Sequence, residues 1–208
     1  MSAVTAAVVK APWPLARSAQ AAVAVTALAD VYRAVTLRAH RLDPQETPLS
    51  VSGRVSTLFV YVSLATVVLF LMWFSRCRRN ARLLSPEPLA GSPAWAVFAW
   101  LIPVVNFWAP RGLVLDVHGA SGPGAAEGRD RALVNIWWAA WVGHALVGAV
   151  GMGVAGGTSL AVLLVTEFLE LAAGALAIAV IQRVTARQSA ALAGTGPLPG
   201  AAVLPRVS

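Results

Sequence analysis

Charge is what this sequence has least of. Only 12% of its 208 residues are Asp, Glu, Lys or Arg, against roughly 25% in a soluble globular domain, so an ordinary cytosolic enzyme is a poor match. Cysteine is almost absent. Cys77 stands alone, which excludes an intrachain disulfide and removes any reading of the redox compartment. With three histidines, no HExxH and no Cys/His cluster, a zinc site has no support. No glycine loop precedes a lysine in the phosphate-cradling pattern, and an aspartate-rich diphosphate motif is missing as well. We therefore expect no metal and no cofactor.

What fills the chain instead is apolar. Hydrophobic residues make up 58% and the mean hydropathy is +0.70, which points to an all-α integral membrane bundle. The formal charge of +7 comes from 16 basic against 9 acidic residues. In a soluble chain that balance suggests nucleic acid; in one this apolar it suggests basic cytoplasmic loops, and no nucleic-acid partner is expected. Fifteen of the sixteen basic residues are Arg and alanine abounds, a codon signature of a GC-rich bacterial genome.

A spanning helix needs about 20 mostly apolar residues. Residues 56–75 supply twenty without a charge, ending on Trp73 before Arg76, Arg78, Arg79 and Arg82. Residues 132–155 and 158–181, joined by Gly156 and Gly157, read as a helical hairpin. A fourth expected span, 14–37, is rich in Ala and Val and carries Asp30 and Arg33, which can pair three apart on one face. Its rival reading is a cleaved signal peptide, with Lys10 and Arg17 as the charged region and Ala27-Leu28-Ala29 as the cleavage site. Residues 94–118 hold Pro103 and Pro110 with Asn106 between them, and two prolines make one straight helix unlikely.

The basic residues decide how that last segment is treated. If it crosses, giving five spans, the two sides carry six and ten basic residues. If it enters and returns as a re-entrant or interfacial element, Arg33, Arg38, Arg41 and Arg54 lie outside and the other twelve inside. The sequence thus predicts four spans in a bacterial inner membrane with both termini cytoplasmic. The expected organisation is a tail over 1–12, one transmembrane domain over 13–190 and a disordered tail over 191–208.

Trp73, Arg76 and Asn80 share one helical face, Trp100, Pro103, Asn106 and Pro110 follow, and Trp137-Trp138 opens the third span. With the Arg-rich exit of the second helix and Gln188 after Arg183, this pattern over about residues 55–190 resembles a family of small polytopic bacterial membrane proteins catalogued only as a domain of unknown function. The resemblance implies a multi-span helical protein and no established activity. Asp30, Glu167 and Glu170 stand outside that pattern.

Three constellations invite function. Arg76, Arg78, Arg79 and Arg82 can contact anionic lipid headgroups or simply fix orientation; Arg76 and Asn80, beside Trp73, are expected to face inward. Glu167 and Glu170 lie three apart within the last span, where ionisable groups are costly and functional by default. With Gly157 as the turn centre, His144 lies thirteen residues before and Glu170 thirteen after, about 20 Å from the turn at ~1.5 Å per residue. That pair can lock the hairpin or act as a proton relay, a cation site or an acid and base. Asp116 and His118 point apart on a helix, so a joint site is not expected. Gly148, Gly151 and Gly153, opposite Ala173 and Ala177, suit close helix packing or self-association. Two functions follow: a non-enzymatic interaction or accessory protein, with a membrane partner or a second copy; and a membrane-embedded enzyme or proton-coupled carrier for a lipid-like substrate, acting through Glu167, Glu170 and His144.

Overall fold

A computed structural model of the chain describes residues 10–85, 88–122, 127–155 and 158–194. The described residues form six α-helices and one short 3-10 turn, and no strand. Helix α1, Trp13–Leu42, begins with Pro14 in its first turn, where a missing N–H costs nothing. It stops before Asp43, whose Oδ1 accepts from the backbone N–H groups of Gln45 and Glu46 at 3.1 Å each. Pro48 then precedes α2, Leu49–Leu84.

The two-proline segment breaks as its composition requires. Helix α3, Pro93–Leu101, is capped by the Ser92 hydroxyl, which accepts from the Trp95 N–H at 3.0 Å. It ends ahead of Pro103, whose neighbour Ile102 is extended. A 3-10 turn over Val105–Phe107 follows, and α4, Ala109–Gly119, takes Pro110 into its first turn. At ~1.5 Å per residue neither helix, of nine and eleven residues, can cross a membrane. Helices α5, Glu127–Ala155, and α6, Leu160–Gly194, are the expected hairpin, with arms longer than their apolar runs. The Gly156–Gly157 turn and the tail beyond Gly194 lie outside the described residues; α6 itself reaches four residues past the boundary expected at 190.

Among the described residues three helices, not four, are long and apolar enough to cross a membrane: α2, α5 and α6. Helix α1 has the length, but the expectation of a fourth span over 14–37 fails on its composition. It is instead packed lengthwise on α2 and α6. Small residues allow that approach, since Gly174 of α6 leaves room for Ala27, whose Cβ would stand 3.2 Å from a Cβ added there. Polar clasps reinforce it. Gln20 Nε2 donates to the Ile178 carbonyl at 3.0 Å and to Gln182 Oε1 at 3.3 Å, and the hydroxyls of Thr26 and Thr66 bond at 2.7 Å.

No residue in the most apolar stretch of α2 is fully buried, and one side of it faces outward. Leu58, Tyr61, Leu64 and Val68 are each more than half exposed, an apolar surface that soluble monomers do not present. Burial is concentrated at the opposite end of α2, where Trp73, Phe74, Cys77 and Ala81 pack with Val114 and Val117 of α4, Val134 of α5 and Ile181 of α6. Beside them Phe70, Trp100, Trp137, Trp138 and Trp141 form a chain of rings with centroids 4.7 to 6.3 Å apart.

Candidate functional site

Halfway along the bundle, three helices bring ionisable groups together where apolar side chains would be expected. Asp30 of α1 is buried, and its carboxylate accepts from Arg33 Nε at 2.8 Å and from the second guanidinium nitrogen of the same residue. The Arg33 guanidinium also lies over the Phe59 ring, 4.5 Å from its centroid. From α5, His144 places Nδ1 3.1 Å from the Thr166 carbonyl. A carbonyl only accepts, so Nδ1 carries the hydrogen. Nε2 therefore faces the carboxylates, 3.8 Å from Glu170 Oε2 and 4.0 Å from Asp30 Oδ2. These separations are ion-pair distances, too long for hydrogen bonds.

The expected match in depth between His144 and Glu170 is thus a match in direction as well, and Asp30 joins them. One donor atom from each of the three lies within 4.8 Å of the others, which could hold a small cation. Arg33 already neutralises Asp30, however, so this trio carries one net negative charge with a neutral imidazole. That suits a proton better than a divalent ion. Glu167 is buried one helical turn away, with Oε2 lacking any hydrogen-bond partner.

Two cavities meet at this cluster. One, of about 390 Å³, is lined by Asp30, Arg33, His144 and Glu167 among others. The second, of about 230 Å³, is lined by Glu170, Asn106, Trp100, Trp138 and Trp141 among others. Asn106 Oδ1 and Trp100 Nε1 are buried there without partners. The His144–Glu170 contact stands between the two spaces, with the imidazole on one and the carboxylate on the other.

A second polar centre, which sequence reasoning missed, closes the end of the bundle. Asp130 of α5 is buried, with Arg187 Nε at 3.5 Å, His118 Nε2 at 3.6 Å and Arg183 Nε at 3.8 Å, and Arg187 and His118 also touch. Nearby, Arg111 Nε donates to Asn135 Oδ1 at 2.8 Å and Gln188 Nε2 to the Cys77 carbonyl at 2.7 Å. This network ties α4 to α5 and α6. Asp130 is the shared anion of the two arginines, Gln188 Oε1 is buried without a partner, and the network reads as structural.

The pattern residues separate into those that pack and those that do not. Trp73 is buried and donates from Nε1 to Thr185 Oγ1 at 3.0 Å; Asn80 is buried and donates to the Lys10 carbonyl at 3.3 Å. Trp138 Nε1 donates to the Phe107 carbonyl at 3.1 Å, pinning the turn that carries Asn106. Pro110 is buried, whereas Pro103 sits exposed at the break. The expectation that Arg76 faces inward is corrected. Arg78 is the buried arginine, because the chain after α2 doubles back and offers the Ala90 and Gly91 carbonyls to its guanidinium. Gly91 takes φ +72°, and an added Cβ would run into the Trp95 ring. Asp116 and His118 do point apart. His118 joins Asp130, while Asp116 neighbours Arg78; burial raises the Asp116 carboxyl above its ordinary range, and Arg78 pulls it back in part.

A family model described as a domain of unknown function, DUF4328, matches residues 38–186. No curated protein matches the chain, and no solved structure does.

Proposed function

The chain belongs to the DUF4328 family, which carries no assigned activity, and from that premise we propose that it is a multi-pass protein of the bacterial cytoplasmic membrane that moves protons between two half-open pockets. The membrane reading is supported by α2, α5 and α6 and by the uncovered apolar face of α2. The Arg-rich end faces the cytoplasm, as the distribution of basic residues favours.

One observation carries the proton reading. His144 Nε2 sits between Asp30 and Glu170, and the imidazole and the Glu170 carboxyl open onto different cavities. Three carboxyls, of Asp30, Glu167 and Glu170, face one permanent cation, Arg33. In a site removed from water such an excess of negative charge is costly, so the cluster reaches neutrality by holding protons. A proton taken by Glu170 from the Asn106 side passes to His144 Nε2 and leaves through Glu167 or Asp30. Glu170 and His144 are thus acid and base to each other, and coupling this exchange to a lipid-like or small apolar cargo would make a carrier.

The competing reading is a non-enzymatic accessory protein in which the cluster only locks α1 to the hairpin. It is favoured by the apolar rings of Trp138 and Trp141, which line the Glu170 pocket. Liposomes containing the purified protein and an internal pH dye separate the two. Under an imposed gradient with a potassium shunt, the wild type should acidify the lumen faster than protein-free liposomes. Glu170→Gln and His144→Asn, eluting as the same monodisperse species, should fall to the protein-free rate. A wild type indistinguishable from empty liposomes, or a Glu170→Gln variant as fast as wild type, overturns the proton reading and leaves the accessory one.

A further inference from the structure

The arginines at the end of α2 do not simply decorate the membrane interface. They line one wall of a trough of about 880 Å³ formed by α2 with Leu15 of α1 and Val97 of α3. Along α2 its lining follows one stripe at helical spacing: Val68, Leu71 and Met72, then Ser75, then Arg78, Arg79 and Arg82, with Arg76 at the edge. Val68 and Arg82 are fourteen positions apart, about 21 Å at ~1.5 Å per residue. Its first half is apolar, its middle a hydroxyl and its last half cationic. That is the order of chemistry along an anionic amphiphile: acyl chain, ester region, phosphate.

Charge alone along a helix would be weak support, because basic residues near any membrane helix attract anionic headgroups. Arg78 adds an independent observation. Its side chain is 2% exposed and lines the trough; one terminal nitrogen holds the Ala90 and Gly91 carbonyls, while Nε and the other terminal nitrogen are buried without any hydrogen-bond partner. Unpartnered buried donors on a guanidinium are costly, and phosphate oxygens are the acceptors a guanidinium binds best. Among the described residues Asp116 is the counter-charge acting on Arg78, against Arg82 on the same guanidinium. The site therefore retains a net positive charge.

We propose that this trough is a binding site for one anionic glycerophospholipid. Its phosphate rests on Arg78, Arg79 and Arg82, its ester region lies by Ser75, and one acyl chain runs along Met72, Leu71 and Val68. The site is separate from the His144–Glu170 cluster and stands whether or not that cluster moves protons.

Native mass spectrometry of the whole protein released from neutral detergent tests it, with phosphatidylglycerol, phosphatidylcholine and inorganic phosphate as probes. Wild type should retain one phosphatidylglycerol in preference to phosphatidylcholine, and inorganic phosphate should not compete at matched concentration. The exposed pair changed together, Arg79→Gln with Arg82→Gln, should weaken retention roughly 25-fold, about fivefold for each basic residue. Ala94→Trp, which fills the trough from its α3 rim without touching an arginine, should also displace the lipid. Equal retention of the two lipids overturns the proposal, as does phosphate binding as well as phosphatidylglycerol. Undiminished retention by either correctly eluting variant does the same.

Discussion

Replacing Gly151 with alanine sets two physical effects of opposite sign against each other. In an isolated helix the change favours folding by roughly 0.5 to 1 kcal/mol, because glycine loses more backbone freedom. In this bundle the new methyl would overlap Val162 Cγ1 across the α5–α6 interface and lie 3.3 Å from Val162 Cβ and 3.5 Å from Cγ2. Rotating the valine offers no escape. Its χ1 has one strongly preferred well in a helix, and turning it swings the second methyl toward the same place. The helices must then part, at an overpacking cost of about 1 to 3 kcal/mol, leaving a net loss near 1 to 2 kcal/mol. Gly153 provides the control, since a Cβ there meets nothing within 4 Å. Gly153→Ala should be neutral or slightly stabilising. Combining Gly151→Ala with Val162→Ala removes the obstructing methyls and should recover most of the loss. Reversible unfolding in mixed micelles, followed by fluorescence of the buried tryptophans, reads all four proteins. A Gly151→Ala variant as stable as Gly153→Ala, or one that Val162→Ala does not rescue, would show that the hairpin is not packed in this register.

Further outcomes follow from other parts of the bundle. Asp130→Asn leaves His118 and Arg187 without their buried anion and should cost about 3 kcal/mol or more in the same unfolding assay, whereas Arg183→Gln, about half exposed, should cost under about 1 kcal/mol. Trp73→Phe removes the bond to Thr185 and should cost roughly 1 kcal/mol; a cycle with Thr185→Val should show strong coupling, and additive effects would deny that the bond contributes. Because burial raises Asp116 above its ordinary value of 3.8, the folded state holds that proton more tightly than the unfolded chain. Its contribution is therefore present at low pH and lost as pH rises above about 4 through the folded value, so melting temperatures of wild type and Asp116→Asn should diverge in favour of the variant on going from pH 4 to 7. Finally, Leu49→Cys should react with an impermeant thiol reagent applied to intact cells and Ser121→Cys should not; the opposite pattern inverts the orientation.

How much was legible depended on whether the physics was local. Pro103 and Pro110 break the helix wherever the chain goes, so the interruption of this segment is legible, while its division into α3, a 3-10 turn and α4 is not. The hairpin has the same character: two apolar runs separated by two glycines imply antiparallel neighbours, and counting from those glycines puts His144 level with Glu170. Asp30 was seen only as Arg33's partner, because its place beside His144 depends on α1 lying across the hairpin, which no spacing within α1 encodes. Helical phase alone favours Arg76 over Arg78 as the inward arginine, and the carbonyls that hold Arg78 belong to residues 90–91, outside that helix. Asp130 passed unnoticed inside a run of charged residues that looks like an exposed loop. The length of α1 suggests a span of its own, but Arg17, Asp30 and Arg33 within 14–37 weigh against it.

The polar stripe of α1 also bears on the order of assembly. Asp30, with Arg33 on its carboxylate, reaches its buried position only when His144 and Glu170 are present beside it, and Gln20 finds its long-range acceptors on α6. The ribosome delivers α1 first and α6 last. The earliest helix to be made is therefore the last to find its seat, and a chain cut short before α6 would hold an unsheltered ion pair that marks it as unfinished.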